Sequence, residues 1–402
     1  MHLLIPFANC TAVECQQALA TLKLPNLERL LRQLPLAHTD TADESTLSPP
    51  HERALAAAYG ITMPDSANTA WPDGQTPWGA WHAMRAGYMD SPAGNGIAPT
   101  ADELAQARHT TAPANAWAVI TPCHWTVQTS HITMTHPRAL NLGGEESRAL
   151  LAAMQPYFAE DGIALMYDTP TRWLARGGVF AGLATASPYR VVGAHVDDWL
   201  PKAASAKLLR RLQNEMQMLL YTHPLTDARA ARGLPAVNSF WVSGTGMLPP
   251  DAAYAANTMA SSSSARTEFS KPTERVMKDT AAQSAQLATK IATQKAMPLT
   301  SPLTAPVTVP NALRDAAIQG DWPAWAQAWQ QIDRTECAAL LQTIDMKADS
   351  KTDPKSTATL TLCGECSAQT YQSVQSGLKN RFFQAVRGHF GRFPTSHIVS
   401  TL

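Results

Sequence analysis

What most constrains the fold of this chain is a repeated change of apolar period between residues 116 and 246. "AWAVITPCHWTVQ" and "HITMTH" carry strand-forming residues, and "GEESRALLAAMQPYFAEDG" switches to helical spacing, with acids in its first turn and glycine just past its end. "IALMYD" and "TRWLAR" return to strand pattern, "SAKLLRRLQNEMQMLLYTH" is helical again, and "LPAVNSFWVSGTG" ends the series as a strand followed by a close-approach glycine turn. Such alternation predicts an α/β fold, a layered sheet flanked by helices.

The flanks follow the same logic. "HLLIPFA" reads as a short buried strand, with helices over residues 15–24 and 27–34 and another near Glu52–Tyr59; "AHTDTADESTLSPP" is a polar interval. Trp71, Trp78 and Trp81 sit among turn formers, as rings closing a loop over the core. After residue 250 the aliphatic rhythm stops, and Ser, Thr, Ala, Lys and Pro dominate a long low-complexity insertion, read as mobile. Pattern resumes at "NALRDAAIQGDWPAWAQAWQQID", where Gly320 ends one helix and Asp321 caps the next, with Trp322, Trp325 and Trp329 forming a seam against the core. "TATLTLCGECSAQTY" reads as one strand. The expected organisation is an N-terminal α/β segment (1–90), a linker (91–115), a central α/β region (116–250), the insertion (251–308), and C-terminal helices, strand and basic amphipathic tail (309–402).

Composition excludes several functions. Lys+Arg and Asp+Glu both number 32, so no net charge draws the chain to nucleic acid or anionic lipid. The tail's Lys379, Arg381, Arg387 and Arg392, interleaved with Phe382, Phe383, Phe390 and Phe393, is therefore read as capping the core. No apolar run reaches the roughly 20 residues a membrane span needs, and the opening "MHLLIPFANCTAVEC" lacks the basic start of a secretory signal. Six irregularly spaced cysteines fit a reducing cytoplasm, and Cys363 with Cys366, a single C-x-x-C, reads as structural thiols near a strand end.

Candidate chemistry is sparse. The glycines of "VSGTGMLPP" precede Met247, Leu248, Pro249 and Pro250 instead of a helix, so a phosphate loop is unsupported, and the spacing fails G-x-S-x-G. Arg211 and Glu215 are spaced to pair on the long helix, with Gln213 and Gln217 along its edge. His195, Asp197 and Asp198 in "GAHVDDWLP" have the donor types for a divalent metal, although neighbouring carboxylates are common on solvated loops.

Three stretches, "LQNEMQMLLYTHPLTDARAARGLPAVNSFWVSGTG", "WAVITPCHW" with "PTRWLA", and "GDWPAWAQAWQQID", resemble the RpfE-type bacterial regulatory proteins, a family often labelled cofactor-independent phosphoglycerate mutase-like. The resemblance covers most of residues 116–246 and 311–366. It implies a pocket beside the helix at 203–223, shaped by His124, Arg172, Asn214, Glu215, Gln217, His223, Asn238, Trp241, Gly244 and Gly246, for a small ligand or protein partner, with no cofactor, nucleic acid or membrane. Family members carry a second aromatic and an extra glycine near Val242, Ser243 and Thr245. Metal-dependent phosphoglycerate mutases need an Asp ending the first strand and a D-H-G metal cluster; here that strand runs "LLIPFAN" and no D-H-G occurs. The expectation is a regulatory protein without phosphomutase activity; the alternative is a metal-dependent mutase or phosphatase-like enzyme using His195, Asp197 and Asp198.

Overall fold

A computed structural model describes residues 1–61, 71–88, 116–248, 307–349, 357–373 and 399. The first elements are β1 (His2–Ile5), α1 (Val13–Thr21), α2 (Pro25–Gln33), β2 (Leu36–Thr41), α3 (Pro50–Ala58) and α4 (Trp78–Arg85). Next come β3 (Trp117–Cys123), the hairpin β4 (Trp125–Val127) and β5 (Ile132–Met134), α5 (Gly144–Glu160), β6 (Ala164–Thr169) and β7 (Arg172–Arg176). Two short helices, α6 (Pro188–Val191) and α7 (Val196–Trp199), lead to α8 (Ala206–Tyr221), α9 (Pro224–Ala230) and β8 (Ser239–Gly246). The described chain closes with β9 (Val307–Thr308), α10 (Ala312–Gln319), α11 (Trp322–Ile332), α12 (Ala338–Asp349), β10 (Thr359–Cys363) and β11 (Ser367–Gln372).

The fold is mixed α/β, with two main sheets flanked by helices. A five-stranded sheet has the order β2-β11-β10-β1-β9, with β1 parallel to both neighbours. A four-stranded antiparallel sheet has the order β6-β7-β3-β8. Every residue of β1 is buried, as expected of a central parallel strand covered on both faces, which is why "HLLI" shows no alternation. Residues 1–41, 307–349 and 357–373 thus contribute to one sheet and one core, in which Leu27, Leu30, Trp325, Trp329 and Leu340 meet β1 and β10. The Trp325 and Trp329 indoles donate to the carbonyls of Phe7 (2.9 Å) and Ala8 (3.2 Å), so the tryptophan seam also pins the loop leaving β1.

Several expectations change. The polar interval contains β2, an edge strand whose residues are almost all exposed; polar side chains there protect the edge and hide the strand from an apolar-pattern reading. "TATLTLCGECSAQTY" is a hairpin, turned by the Gly364 N–H bond to Ser367 O at 2.8 Å. Trp78 and Trp81 lie on a helix, not in a loop. Val307 and Thr308, assigned to the insertion, pair with β1. "SGTG" does not turn at all: β8 runs through to Gly246, with Gly244 at φ +61°. A Cβ on Gly244 would lie 2.7 Å from Trp78 Cβ, and one on Gly79 would lie 2.6 Å from the backbone of Ala118, so these two glycines let α4 sit directly on the sheet. The expectations for the linker, the insertion at 251–306 and the tail at 379–393 concern residues outside the described set. No helix among the described residues is long and apolar enough to cross a membrane.

Candidate functional site

Helix α3 packs on the five-stranded sheet through Ala54 and Leu55, while α4 packs on the four-stranded sheet. Between them opens a cleft of about 560 Å³, within the range of small-molecule sites. Its walls come from α3, α4, β3, β8 and the segments around residues 136–138, 169–172, 185–189 and 311–315.

At the N-terminal end of α3, His51 is buried between Phe7 (ring centroids 5.4 Å apart) and Tyr189 (5.2 Å), and neither ring nitrogen has a hydrogen-bond partner. Glu52 accepts a hydrogen bond from Ser187 Oγ at 2.7 Å. Arg314 lies 4.8 Å from the Tyr189 ring, and both Arg314 and Arg138 pair with Asp315. Burial, reinforced by Arg314, Arg190 and Arg53, pushes His51 down to about 3. Burial pushes Glu52 up to about 7, against the opposing pull of Ser187 and the same three guanidinium groups. The imidazole is therefore neutral at neutral pH and the carboxyl carries a proton for much of the time.

Toward the C-terminal end of α3 the wall becomes aromatic. Tyr59 stacks on Trp81 (4.8 Å, 20°), Trp78 stands edge-on to both, and Arg85 lies 4.9 Å over the Trp81 ring. His82 is pushed down to about 3, by burial first and then by Arg172 and Arg85. Arg172 is paired with Asp168 at 2.5 Å. Four arginines, Arg85, Arg138, Arg172 and Arg314, thus line a cleft whose lining carboxyls are Glu52 and Asp315.

Among the described residues, ten buried side-chain polar atoms lack a partner, and three belong to side chains that line this cleft, both His51 nitrogens and Trp78 Nε1, whereas Arg190, with two more, lines a separate pocket beside Phe7, Glu44 and Cys366. Native interiors rarely leave such groups unsatisfied, and the wall of this cleft holds three of the ten.

Of the residues expected to shape a pocket, Arg172 and Gly244 line this cleft. The others lie elsewhere. His124 Nδ1 bonds to Ala236 O (2.7 Å), and Asn238 ties down the backbone of Trp125 through both its amide atoms. Trp241 is buried, with its indole donating to Ala186 O (2.8 Å), and His223 caps α9 by accepting from Leu225 N. Glu215 pairs with Arg211, as its spacing predicts, whereas Asn214 is exposed, Gln217 half-buried, and Gly246 lies against Pro77. Beside α8 the space between Leu200, Gln213 and Trp241 amounts to about 10 Å³, hardly room for one water. The cleft residues His51, Glu52, His82, Tyr189 and Arg314 went unmarked in the sequence. One signal was available: His51, Glu52, Leu55 and Tyr59 fall along a single helical face that mixes polar and aromatic groups.

A divalent metal needs converging donors, and His195, Asp197 and Asp198 do not supply them. Each carboxylate approaches a different ring nitrogen of His195 (3.5 and 3.4 Å) while remaining well exposed, and no group of three or more His, Cys, Asp or Glu among the described residues is arranged to hold a metal. All six cysteines are free thiols.

Fold and cleft together define a mixed α/β protein with a cationic, partly aromatic cavity between two sheets. No family model matches the sequence. Over 125 residues the chain is 28% identical to the probable 2,3-bisphosphoglycerate-independent phosphoglycerate mutase of Geobacter sulfurreducens, a match spanning 31% of this chain and 31% of that relative. The chain thus matches about a third of that relative's length, as a distant homologue of cofactor-independent phosphoglycerate mutase. Two solved structures are similar. They are a cofactor-independent phosphoglycerate mutase from Thermoplasma acidophilum (13% identity, 100% of this chain and 98% of that one, TM-score 0.32) and the PH0037 protein from Pyrococcus horikoshii (11%, 92% and 87%, TM-score 0.39).

Proposed function

We propose that this chain is a regulatory protein of the RpfE type that binds a small phosphorylated ligand in the inter-sheet cleft and signals by occupancy instead of turnover, in a reducing cytoplasm. The observation that carries this reading is the set of four arginines lining the cleft, Arg85, Arg138, Arg172 and Arg314, beside the unpartnered His51 ring. Guanidinium groups bind phosphate oxygens through paired N–H donors, and a neutral imidazole donates one further bond without adding charge. The expectation that the chain lacks phosphomutase activity is supported by its first strand, "LLIPFAN", which ends without an Asp, and by a sequence that contains no D-H-G. Arg172 and Gly244 belong to the ligand site, while Asn214, Glu215 and Gln217 form an edge of α8 open to a protein partner.

The second reading is a metal-dependent mutase, favoured by the sequence match to a probable mutase. The two are separated by titrating the protein with inorganic phosphate and 3-phosphoglycerate while assaying 3-phosphoglycerate turnover with added Mn²⁺. Saturable binding that weakens at least tenfold in Arg314→Ala, without turnover, is the expected result. Manganese-dependent turnover abolished by Asp197→Ala would overturn it.

A further inference from the structure

The two ends of the cleft differ in chemistry, and helix α3 measures the distance between them. His51 lies in its first turn and Tyr59 directly follows its last, a span of about 12 Å of helix axis. One end presents Arg138, Arg314, His51 and Glu52; the other presents Tyr59, Trp78 and Trp81 with Arg85 and Arg172. A three-carbon phosphate would occupy the first end alone and leave the aromatic wall facing water.

We infer that the ligand is a phosphate ester carrying a flat ring, of the nucleoside 5′-monophosphate class. This rests on the phosphate-binding reading above. Three observations support it. The wall is a contiguous aromatic surface with Tyr59 and Trp78 only partly buried, so ring area remains available on the cleft side after their mutual packing. The Trp78 indole N–H, on the same wall, is buried without a partner, so no hydrogen bond within the protein fixes that ring against a bound base. The hydroxyl-bearing Thr121 and Ser243 also line the cleft, from β3 and β8, as groups a sugar could meet. Aromatic side chains take up bases through their faces with little sequence preference, while arginines hold the phosphate.

The test compares adenosine 5′-monophosphate, ribose 5-phosphate, adenosine and inorganic phosphate by calorimetric titration of the full chain. Adenosine 5′-monophosphate is expected to bind at least about fivefold more tightly than ribose 5-phosphate, the low end of what stacking on an aromatic group supplies. In Trp78→Ala that advantage should disappear while ribose 5-phosphate affinity is unchanged, and Arg314→Ala should weaken both. Quenching of tryptophan fluorescence in the unmodified protein, by the nucleotide and not by the sugar phosphate, gives the same answer should the Trp78 variant fail to fold. Equal affinity for the two phosphates, or no quenching by the nucleotide, would overturn the ring assignment and leave the phosphate cleft standing. No binding of any phosphate compound would remove both.

Discussion

The edge of helix α8 and the cleft along helix α3 are both rich in Trp, His, Asn, Gln and Arg, yet they differ in what those groups do. Around α8 the polar groups are satisfied within the protein: Gln213 donates to Phe240 O (3.1 Å), Trp241 to Ala186 O, and the buried Arg229 to Glu146 and to the carbonyls of Leu140 and Pro235. Along α3, His51 and Trp78 are equally polar and have no partner. A satisfied buried group holds the fold together. An unsatisfied one weakens it until a partner arrives, which is why the proposed ligand site is placed along α3 and not beside α8.

Mutations can break this contrast. Arg229→Ala should have the largest effect, about 3–5 kcal/mol lost from the unfolding free energy in a denaturant titration, because it empties a buried space, strands the carbonyls of Leu140 and Pro235 and leaves Glu146 to Arg232 alone. Gly79→Ala should follow, at about 1–3 kcal/mol, since its Cβ would enter the space of the Ala118 backbone. Trp241→Phe and Trp78→Phe then make the sharpest pair. The first should cost about 1–3 kcal/mol by orphaning the Ala186 carbonyl, and the second should be close to neutral because it removes a donor that bonds to nothing. Equal losses in the pair would erase the distinction between the two regions.

A last contrast is in pH dependence. His51, His82 and His2 stay neutral in the fold down to about 3, 3 and 4, but take up a proton near 6.5 when unfolded. The unfolded chain then binds more protons, so stability falls as pH drops below about 6.5. Glu52 acts in the opposite sense: held protonated up to about 7, against 4.5 in the unfolded chain, it adds stability that is full below 4.5 and lost as pH rises through 7. Glu52→Gln should therefore steepen the rise of the denaturation midpoint between about pH 5 and pH 7; an unchanged slope would mean that Glu52 is ionised in the fold.

Elements with strong periodicity were legible from sequence: α5, α8, the Gly320 and Asp321 boundary, where Gly320 takes a left-handed φ of 67° and Asp321 accepts from Ala324 N, and the buried tryptophans of α11. Edge strand β2 was not, because its side chains meet solvent. The cleft was legible only at Arg172 and Gly244, since it is assembled from segments between residues 48 and 315 that share no local motif. Residues next to one another in the sequence advertise helices and turns; a cavity built by tertiary contact leaves no such trace.

The pairing of β1 with β10 sets His2 opposite Thr359. On a ribosome adding about 5–20 residues per second, the first strand would therefore wait roughly 20–70 s for its neighbour. Through that interval an apolar ribbon would have helices α1, α2 and α3 for shelter, with only the two residues of β9 arriving earlier to pair with it. The strand order thus delays completion of this sheet until the chain past residue 359 has been made.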